Sequence, residues 1–430
     1  MKKISVSDIA QHLGQEVELK GWAFNLRSSG SIVFLQFRDG TGRIQGVVSK
    51  KEVDAPSWEQ AADLTIESSV VLVGTPKEEA RSPFGYELDV KTLTVVQKAE
   101  EFPIGKKEHG IEFLMDHRHL WIRSPRQVAI LRVRDEVVWQ LRKFMKEEGF
   151  VLTDSPILTP TSCEGTTTLF ETEYFDTKAY LAQSGQLYIE ATASALGKVY
   201  DFGPTFRAEK SKTRRHLTEF WMLDAEAAYV ENDGNMDIQE KMIATVVQNV
   251  LTECADELAV IERDVKPLLQ VQSPFPRIRY DEAVEKLNAA GTKMELGSDF
   301  GGDEETVLSK MYDRPVFITH YPKSVKGFYF QPEEGNPERV LNSDLIAPEG
   351  YGEMIGGSQR IHDLKLLEKR MKEFKLPRKD FEWYLDLRRY GSVPHSGFGL
   401  GLERLVTWIC GLEHVREAIP FPRLINRIRP

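Results

Sequence analysis

Three separated segments of the chain combine residue types that could bind and activate a polyphosphate. Phe206-Arg207-Ala208-Glu209 comes first, and a cationic stretch at residues 210–215 follows it. Near the carboxyl end, the alternate glycines of residues 397–401 precede Arg404. Arginine donates to phosphate oxygens through a planar fork, and glycines let a backbone approach a ligand closely. The segments together predict phosphate chemistry, although a solvated loop and a tightly packed corner explain each one taken alone.

The glycine pattern excludes two common nucleotide-binding loops. Glycines at every second position of residues 397–401 do not match GxGxxG, and GxxxxGK[ST] occurs nowhere in the chain. The pattern instead predicts a strand that leads into a helix with Arg404 at its start, where free backbone N–H groups attract phosphate. Residues 206–222 predict a hairpin of two apolar strands joined by the cationic loop.

The first hundred residues predict a small β barrel that lies before these segments. Runs of β-branched and aromatic residues alternate with turns such as Asp39-Gly40-Thr41-Gly42. The predicted strands are residues 17–22, 32–38, 44–48, 69–73 and 88–96. Five such strands are typical of an OB-fold, whose open face commonly binds single-stranded nucleic acid. A β module that only packs on its neighbour is an equal alternative from the strand number alone.

The rest of the chain predicts an α+β domain. Residues 101–119 mix proline, glycine and charge and indicate a linker. Residues 124–148 carry apolar side chains at helical spacing and end at Gly149, which predicts a long helix. Strands and helices then alternate without βαβ regularity, which favours an antiparallel sheet flanked by helices. The predicted domains are residues 1–100, the linker 101–119, and residues 120–430.

Composition limits the class of protein and its compartment. The net charge of -10 excludes nonspecific coating of nucleic acid and leaves a local basic patch possible. No window approaches the ~20 apolar residues of a membrane helix, and the polar start does not match a signal peptide. The three cysteines form no CxxC pair, so neither a disulfide framework nor a zinc ribbon is indicated. We therefore expect a cytoplasmic protein without membrane contact.

Taken in order, these segments resemble the three signature motifs of class II aminoacyl-tRNA synthetases. Residues 149–156 with the preceding helix resemble motif 1, which implies a homodimer. Residues 206–209 with 215–217 resemble motif 2, and residues 399–404 resemble motif 3. The resemblance covers essentially the whole chain and implies an OB-fold barrel followed by the class II catalytic domain. The barrel and the ending Pro420-Phe421-Pro422-Arg423 are similar to the aspartyl, asparaginyl and lysyl subgroup.

One stretch, residues 182–190, distinguishes members of that subgroup. Aspartyl enzymes carry a lysine where this chain has Ile189, and an aspartate carboxylate would lack its cation here. A neutral carboxamide needs an acceptor for its NH2 group, which Glu190 can supply, while Arg360 matches the arginine that reads the substrate side chain. Outside this context, a surface or dimer salt bridge would be the favoured explanation of Glu190. The resemblance therefore implies an asparaginyl member.

The resemblance also assigns roles in ATP and amino-acid binding. Arg207 and Arg404 are the implied catalytic residues, and both contact phosphates. Glu209 accepts from the adenine amino group, and Phe220 stacks on adenine. The remaining ATP-binding residues are Arg215, His216, Leu217, Glu353, Gly401, Leu402 and Glu403. The implied amino-acid-binding residues are Glu164, Gln186, Glu190, Arg207 and Arg360.

Metal and anticodon contacts follow from the same resemblance. Glu353 and Asp344 are the implied Mg2+ ligands, since Mg2+ prefers hard carboxylate and phosphate oxygens. Phe34 would stack on a base, although a core phenylalanine is the simpler explanation of that residue alone. The residues that match anticodon-reading positions are Arg27, Phe34, Gln45 and Glu87.

The predicted reaction is ATP-dependent ligation of L-asparagine to tRNA(Asn) through an asparaginyl-adenylate, with release of AMP and diphosphate. An aspartyl-tRNA synthetase, possibly nondiscriminating, is the closest alternative, and Ile189 and Glu190 oppose it. A paralogue that amidates aspartyl-adenylate generally lacks the barrel. A noncatalytic RNA-binding relative would have lost Arg207, Glu209 or Arg404, all of which are present.

Overall fold

The computed structural model describes residues 2–105, 107–160 and 168–430, and the chain divides into two compact units, Met1–Leu114 and Met115–Pro430. A 3-10 helix at Val6–His12 follows the first strand. The elements up to the unit boundary are β1 (Lys2–Lys3), β2 (Val17–Ser29), β3 (Ile32–Arg38), β4 (Arg43–Ser49), α1 (Ala55–Ala62), β5 (Ser69–Glu78), β6 (Tyr86–Gln97) and α2 (Ile111–Asp116).

The first unit is a closed five-stranded barrel, as the sequence predicts. Strands pair in the order β2, β3, β4, β6 and β5, and β5 pairs again with β2 to close the sheet. Residues alternate between core and solvent, so that Val33, Leu35 and Phe37 point inward while Phe34 lies on the outer face. This OB-fold topology confirms the predicted strands, which the structure extends by a few residues at most ends.

The second unit contains the remaining elements, with short 3-10 helices at Arg378–Phe381 and Val415–Glu417. Its helices are α3 (Arg118–Trp121), α4 (Pro125–Glu147), α5 (Gln186–Leu196), α6 (Asn232–Glu253), α7 (Ala255–Val260), α8 (Lys266–Leu269), α9 (Tyr280–Ala289), α10 (Gly302–Ser309), α11 (Leu364–Glu373), α12 (Glu382–Arg389) and α13 (Leu402–Cys410). Its strands are β7 (Val151–Leu152), β8 (Leu158–Thr159), β9 (Glu171–Tyr174), β10 (Thr177–Leu181), β11 (Lys198–Phe206), β12 (Glu219–Ala228), β13 (Arg277–Arg279), β14 (Val316–Thr319), β15 (Pro332–Glu333), β16 (Asn336–Val340), β17 (Asp344–Ala347), β18 (Gly352–Gln359) and β19 (His395–Gly401).

An eight-stranded sheet forms the centre of this unit, in the order β13, β14, β17, β18, β19, β12, β11 and β7 among the described residues. The six inner strands are antiparallel, which confirms the prediction of an antiparallel sheet flanked by helices. The two outer pairs, β13 with β14 and β7 with β11, are parallel. Local alternation cannot reveal these edge pairings, because β7 and β13 are only two and three residues long.

The long helix α4 begins and ends where the sequence predicts. The hydroxyl of Ser124 accepts from the backbone N–H of Gln127, and Pro125 occupies the first turn, where its missing N–H has no cost. One face of the helix buries Val133, Val137 and Leu141 against the main core. The stretch predicted as a linker, residues 101–119, contains α2 and the start of α3. No described helix has both the length and the apolar character of a membrane span.

Candidate active site

A cavity of about 330 Å³ lies over the central strands of the second unit. The predicted site residues that line it are Gln186, Arg207, Arg215, His216, Leu217, Phe220, Asp344, Glu353, Arg360, Gly401, Glu403 and Arg404. Glu209, Leu402 and Glu190 do not line it, and Leu402 and Glu190 are buried. Glu164 lies outside the described residues. Segments separated by more than 200 positions therefore meet in one cavity.

The hairpin predicted from residues 206–222 forms one wall. Strands β11 and β12 pair from Lys198 with Ala227 to Phe206 with Glu219, and the cationic loop connects them. The guanidinium of Arg207 lies 5.6 Å from the ring centroid of Phe220. Arg215 fastens the loop, since its side chain donates to the carbonyl of Gly350 at 2.6 Å and to Glu305 at 3.0 Å. Arg207 thus lies beside a flat aromatic face, and Arg215 ties the loop to the segments around Glu305 and Gly350.

His216 lies on the same loop, and its surroundings disfavour a positive charge on the ring. Its Nδ1 contacts the hydroxyl of Ser211 at 3.1 Å and that of Thr213. Burial lowers the pKa of His216, and the positive charges of Arg404 and Arg207 lower it further.

The glycine strand and the following helix form the floor. A Cβ atom on Gly399 would lie 2.5 Å from the Cε of Met222 and 2.6 Å from the Oδ1 of Asp224, so a side chain there would force these two groups to move. Arg404, in the first turn of α13, donates to the backbone carbonyl of Glu353 at 2.8 Å. Glu403 turns the other way, pairs with Arg134 of α4 at 2.8 Å and accepts from the N–H of Trp221. These ties fix the position of Arg404.

Carboxylates and cations alternate along the opposite wall. Lys326 pairs with Asp344 at 2.5 Å, and Glu353 lies 3.5 Å from Arg404. Burial raises the pKa of Asp344 to about 6, with Lys326 opposing and Glu353 adding to the rise. Burial also acts on Glu353, but Arg404, Lys326 and Arg207 outweigh it and lower the pKa of that carboxyl. The described residues contain no group of three or more histidine, cysteine or acidic side chains placed to hold a metal ion.

A buried ion pair contributes a further part of the cavity wall. Arg360 contacts Glu226 of β12 through Nε at 3.2 Å and Nη2 at 3.1 Å, and donates to Ser358 at 2.8 Å. Burial lowers the pKa of Arg360, but Glu226 and Glu190 outweigh it and the net shift is upward. Burial raises the pKa of Glu226 in turn. The pair holds a guanidinium rigidly at the wall.

Glu190 lies one step behind this wall, on α5. Its carboxylate accepts from the Nε2 of Gln186 at 3.0 Å and from the Nη2 of Arg388 at 2.7 Å. The hydroxyl of Tyr384 donates to the same group at 2.8 Å, and the Nε2 of His395 lies 3.1 Å away. Gln186 thus stands between Glu190 and the cavity.

The four residues predicted to read an anticodon form two pairs on the outer face of the barrel. Arg27 and Phe34 are partners in the register of β2 and β3, and the guanidinium lies 4.9 Å from the ring centroid. Gln45 of β4 donates to Glu87 of β6 at 2.6 Å. Phe34 is half-buried rather than a core side chain, so its ring is accessible for stacking.

Two known families match the chain over these same regions. The family described as tRNA synthetases class II (D, K and N) matches residues 110–425, and the OB-fold nucleic acid binding domain matches residues 17–96. The chain belongs to the class II tRNA synthetases of the D, K and N family. The residues that line the cavity of this class II synthetase all lie within the region that the family matches.

Named relatives of this class II synthetase are similar along its full length. It is 58% identical over 437 residues to asparagine-tRNA ligase from Symbiobacterium thermophilum, with both chains fully covered. It is 56% identical over 430 residues to asparagine-tRNA ligase from Pelotomaculum thermopropionicum, again with full coverage. The structure of asparaginyl-tRNA synthetase from Pyrococcus horikoshii complexed with asparaginyl-adenylate matches with a TM-score of 0.97, 44% identity and full coverage of both chains.

Sequence reasoning missed several side chains of this synthetase site. Glu226 had a detectable signal, because Asp224 and Glu226 stand at alternate positions of an otherwise apolar strand and so point to one face. Asp224 also organises the wall, since its Oδ2 accepts from the N–H of Gly185 at 2.8 Å. Lys326 and Asp299 line the cavity from segments without any distinguishing pattern.

Proposed function

We propose that the protein activates L-asparagine with ATP and transfers it to tRNA(Asn), as its full-length asparagine-tRNA ligase relatives indicate. The observation that carries the proposal is one cavity lined both by Arg207 and Arg404 and by Arg360, which pairs with the buried Glu226. A nucleotide fits beside Phe220, and an amino-acid side chain fits against Arg360. An aspartyl enzyme, the alternative, has less support because Glu226 already balances the charge of Arg360.

The reaction needs no protein nucleophile. A carboxylate oxygen of asparagine forms a bond to the α-phosphorus of ATP, and the bond from that phosphorus to the diphosphate oxygen breaks. The terminal hydroxyl of the tRNA then attacks the carbonyl carbon, and AMP leaves. Arg207 and Arg404 stabilise the negative charge that develops on the phosphates, and Phe220 and Glu209 orient the adenine. Holding the reacting groups in line supplies much of the remaining acceleration.

Asp344 and Glu353 fit the proposed Mg2+ site. The negative charge of Glu353 raises the pKa of Asp344, and Lys326 lowers the pKa of both carboxyls. A divalent ion held by these hard oxygens and by phosphate would relieve the repulsion between the two carboxylates. When bound, Mg2+ would supply charge neutralisation to the phosphates, and Lys326 beside Asp344 would add to it.

The barrel is the proposed anticodon-binding domain. Arg27 over Phe34 and the Gln45–Glu87 pair offer one stacking surface and one hydrogen-bonding surface on the same face. Base stacking on an aromatic ring contributes about 1–3 kcal/mol per base. We assign residues 1–100 to this domain, 101–119 to the linker and 120–430 to the catalytic domain.

A homodimer in the cytoplasm completes the proposal. Strand β7 ends the central sheet among the described residues, and its side chains Val151 and Leu152 are exposed. Other exposed apolar side chains on neighbouring elements are Trp139, Ile157, Leu158, Phe170, Tyr174, Phe175 and Leu196. Large exposed apolar surface on a protein of net charge -10 favours a second copy of the chain over nucleic acid as its partner.

Amino-acid-dependent exchange between ATP and diphosphate tests the proposal. We expect strong exchange with asparagine and little with aspartate at equal concentration, and transfer to tRNA(Asn) in a charging assay. Arg207→Ala should abolish exchange and leave the circular dichroism spectrum intact. Near-normal exchange in that variant, or aspartate as the preferred substrate, would contradict the proposal.

A further inference from the structure

A hydrogen-bond network lies behind the amino-acid end of the cavity and involves residues that none of the predicted roles includes. Tyr384 and Arg388 of α12 and His395 of β19 converge on the single carboxylate of Glu190. All four side chains are buried. Arg388 is also held by the carbonyl of Ile361, which its Nε reaches at 2.8 Å. Such a fully connected buried network fixes the position of its central group.

The carboxylate of Glu190 has no capacity left for a substrate. A carboxylate offers about four lone-pair sites. Donors from Gln186, Tyr384, Arg388 and His395 occupy these sites at 2.7–3.1 Å. A substrate amide could reach Glu190 only by displacing one of these donors, and each displaced donor would then be buried without its partner.

Gln186 is the group through which the network reaches the cavity. A carboxylate accepts and never donates, so the amide nitrogen of Gln186 must face Glu190 and its amide cannot turn over. Gln186 lines the cavity, and with its amide nitrogen on Glu190 its carbonyl oxygen lies on the other side of the amide group. The carbonyl oxygen of Gln186 is an acceptor, so it suits the α-ammonium of an amino acid. It is not specific for the NH2 group of an asparagine side chain.

His395 contacts an acceptor through each of its ring nitrogens. Its Nδ1 lies 2.7 Å from the backbone carbonyl of Val393, and its Nε2 lies 3.1 Å from Glu190. The two contacts fix the orientation of the ring, so His395 holds the carboxylate of Glu190 from the side of β19.

We propose that Glu190 is a positioning residue that Tyr384, Arg388 and His395 hold in place so that it orients Gln186 toward the α-ammonium of the amino acid. This inference deepens the proposed function and rests on it. It replaces direct reading of the carboxamide by Glu190 with action through Gln186. Side-chain selectivity then lies with the Arg360–Glu226 pair and not with Glu190.

A double-mutant cycle in the full-length enzyme tests the proposal through exchange kinetics. We expect Glu190→Gln to raise the KM for asparagine about 10-fold, the effect of one lost hydrogen bond, and to change the KM for ATP less than about 2-fold. The preference for asparagine over aspartate should change less than about 3-fold. In a Gln186→Ala background the same substitution should add almost nothing, because the two residues act in series.

Two milder variants keep the test decisive if Glu190→Gln does not fold. Tyr384→Phe removes one donor, and His395→Gln replaces the ring that contacts Glu190 with a side chain of different shape. Both variants should raise the KM for asparagine. The matched control is Asp386→Asn, on the same helix α12, where the carboxylate is half-exposed and pairs with Arg389 at the surface.

The outcomes separate this inference from the proposed function. Absent exchange in the unmodified enzyme would overturn the proposed function itself. Normal exchange combined with a preference shifted about 10-fold toward aspartate in Glu190→Gln would mean that Glu190 reads the side chain directly. Additive effects in the cycle, or unchanged KM values in both Tyr384→Phe and His395→Gln, would also overturn the positioning role.

Discussion

Arg360 and Glu226 are an ion pair whose side chains are 4% and 0% exposed. Taking two charges out of water has a large cost, which their attraction offsets only when both partners are present and well placed. Three contacts from Nε and Nη2 of Arg360 to Glu226 provide that placement. The pair therefore holds the guanidinium of Arg360 in a fixed position at the cavity. An apolar pair of similar volume would give the protein more stability.

Replacement of Glu226 by glutamine should destabilise the protein strongly. It leaves the guanidinium of Arg360 buried with its charge less compensated, which costs about 3–5 kcal/mol in comparable pairs. Urea denaturation measures the change. Glu338→Gln, which removes an exposed carboxylate paired with Lys323, is the control and should leave the midpoint nearly unchanged. Equal midpoints for the two variants would contradict the role given to the buried pair.

His414 predicts a pH dependence of stability. Burial lowers its pKa from 6.5 to about 4, with Arg416 and Arg214 adding to the shift, and its Nδ1 accepts from the N–H of Arg416 at 3.1 Å. Between these two pH values His414 binds a proton in the unfolded chain but not in the folded chain. The folded state therefore loses stability as pH falls from 6.5 to 4. His414→Asn keeps an acceptor without titrating. The unfolding free energy of the wild type should fall more than that of the variant as pH falls from 6.5 to 4. A constant difference between the two proteins would contradict the prediction.

At the scale of elements, strand β19 and helix α13 show how a glycine pattern becomes a binding floor. Alternate glycines place Gly397, Gly399 and Gly401 on one face of the strand, where side chains would otherwise fill the cavity. The helix that follows begins at Leu402, which anchors it in the core, and carries Arg404 in its first turn. Because α13 follows β19 directly, the side chain of Arg404 lies close to the glycine backbone of the strand.

A methyl group on Gly399 should disturb both packing and ATP binding. Gly399→Ala places a Cβ against Met222 and Asp224, and overpacking of this kind costs about 1–3 kcal/mol. Gly203→Ala is the matched control in the same sheet, because a Cβ there meets the Oδ1 of Asp201 at an ordinary contact distance of 3.5 Å.

Thermal unfolding and the KM for ATP in exchange measure the two effects. Gly203→Ala should stay within about 0.5 kcal/mol of the unmodified protein, as substitutions without steric conflict usually do. A Gly399→Ala variant as stable and as active as the control would show that the close approach at β19 is not required.

At the scale of the whole molecule, the exposed apolar side chains near β7 are the feature that a single chain does not explain. Val151 and Leu152 are 44% and 38% exposed on a strand that has a partner on one side only among the described residues. An unpaired apolar edge invites another chain, and a second copy is the partner proposed above. In the proposed dimer, β7 would connect the interface to the active site, because it pairs with β11, the strand that precedes Arg207.

Charges placed on this edge should separate the copies. The double variant Val151→Asp, Leu152→Asp should sediment at the mass of one chain, whereas the unmodified protein should sediment at twice that mass. Val260→Asp, at an exposed apolar position on α7, is the control and should remain dimeric. A dimer that persists in the double variant would place the interface elsewhere.

Local patterns in the sequence were sufficient to predict the elements, and the structure brings most residues of the predicted ATP site into one cavity. Barrel strands, helix α4, the cationic hairpin and the glycine strand each depend on local alternation, capping or glycine spacing, which neighbouring residues fix. Arg207, Arg404 and Phe220 belong to such local patterns, so their meeting in one cavity followed from motif order.

The surroundings of the amino-acid end became visible only in the folded chain. The Arg360–Glu226 pair and the contacts from α12 and β19 to Glu190 join residues that stand from 134 to 205 positions apart, and no local pattern encodes such contacts. Burial then sets their chemistry, because a carboxylate in the core must be matched by donors from whichever strands and helices pack around it. For this reason Glu190, which the sequence predicts to contact the carboxamide, lies behind Gln186 and not in the cavity wall.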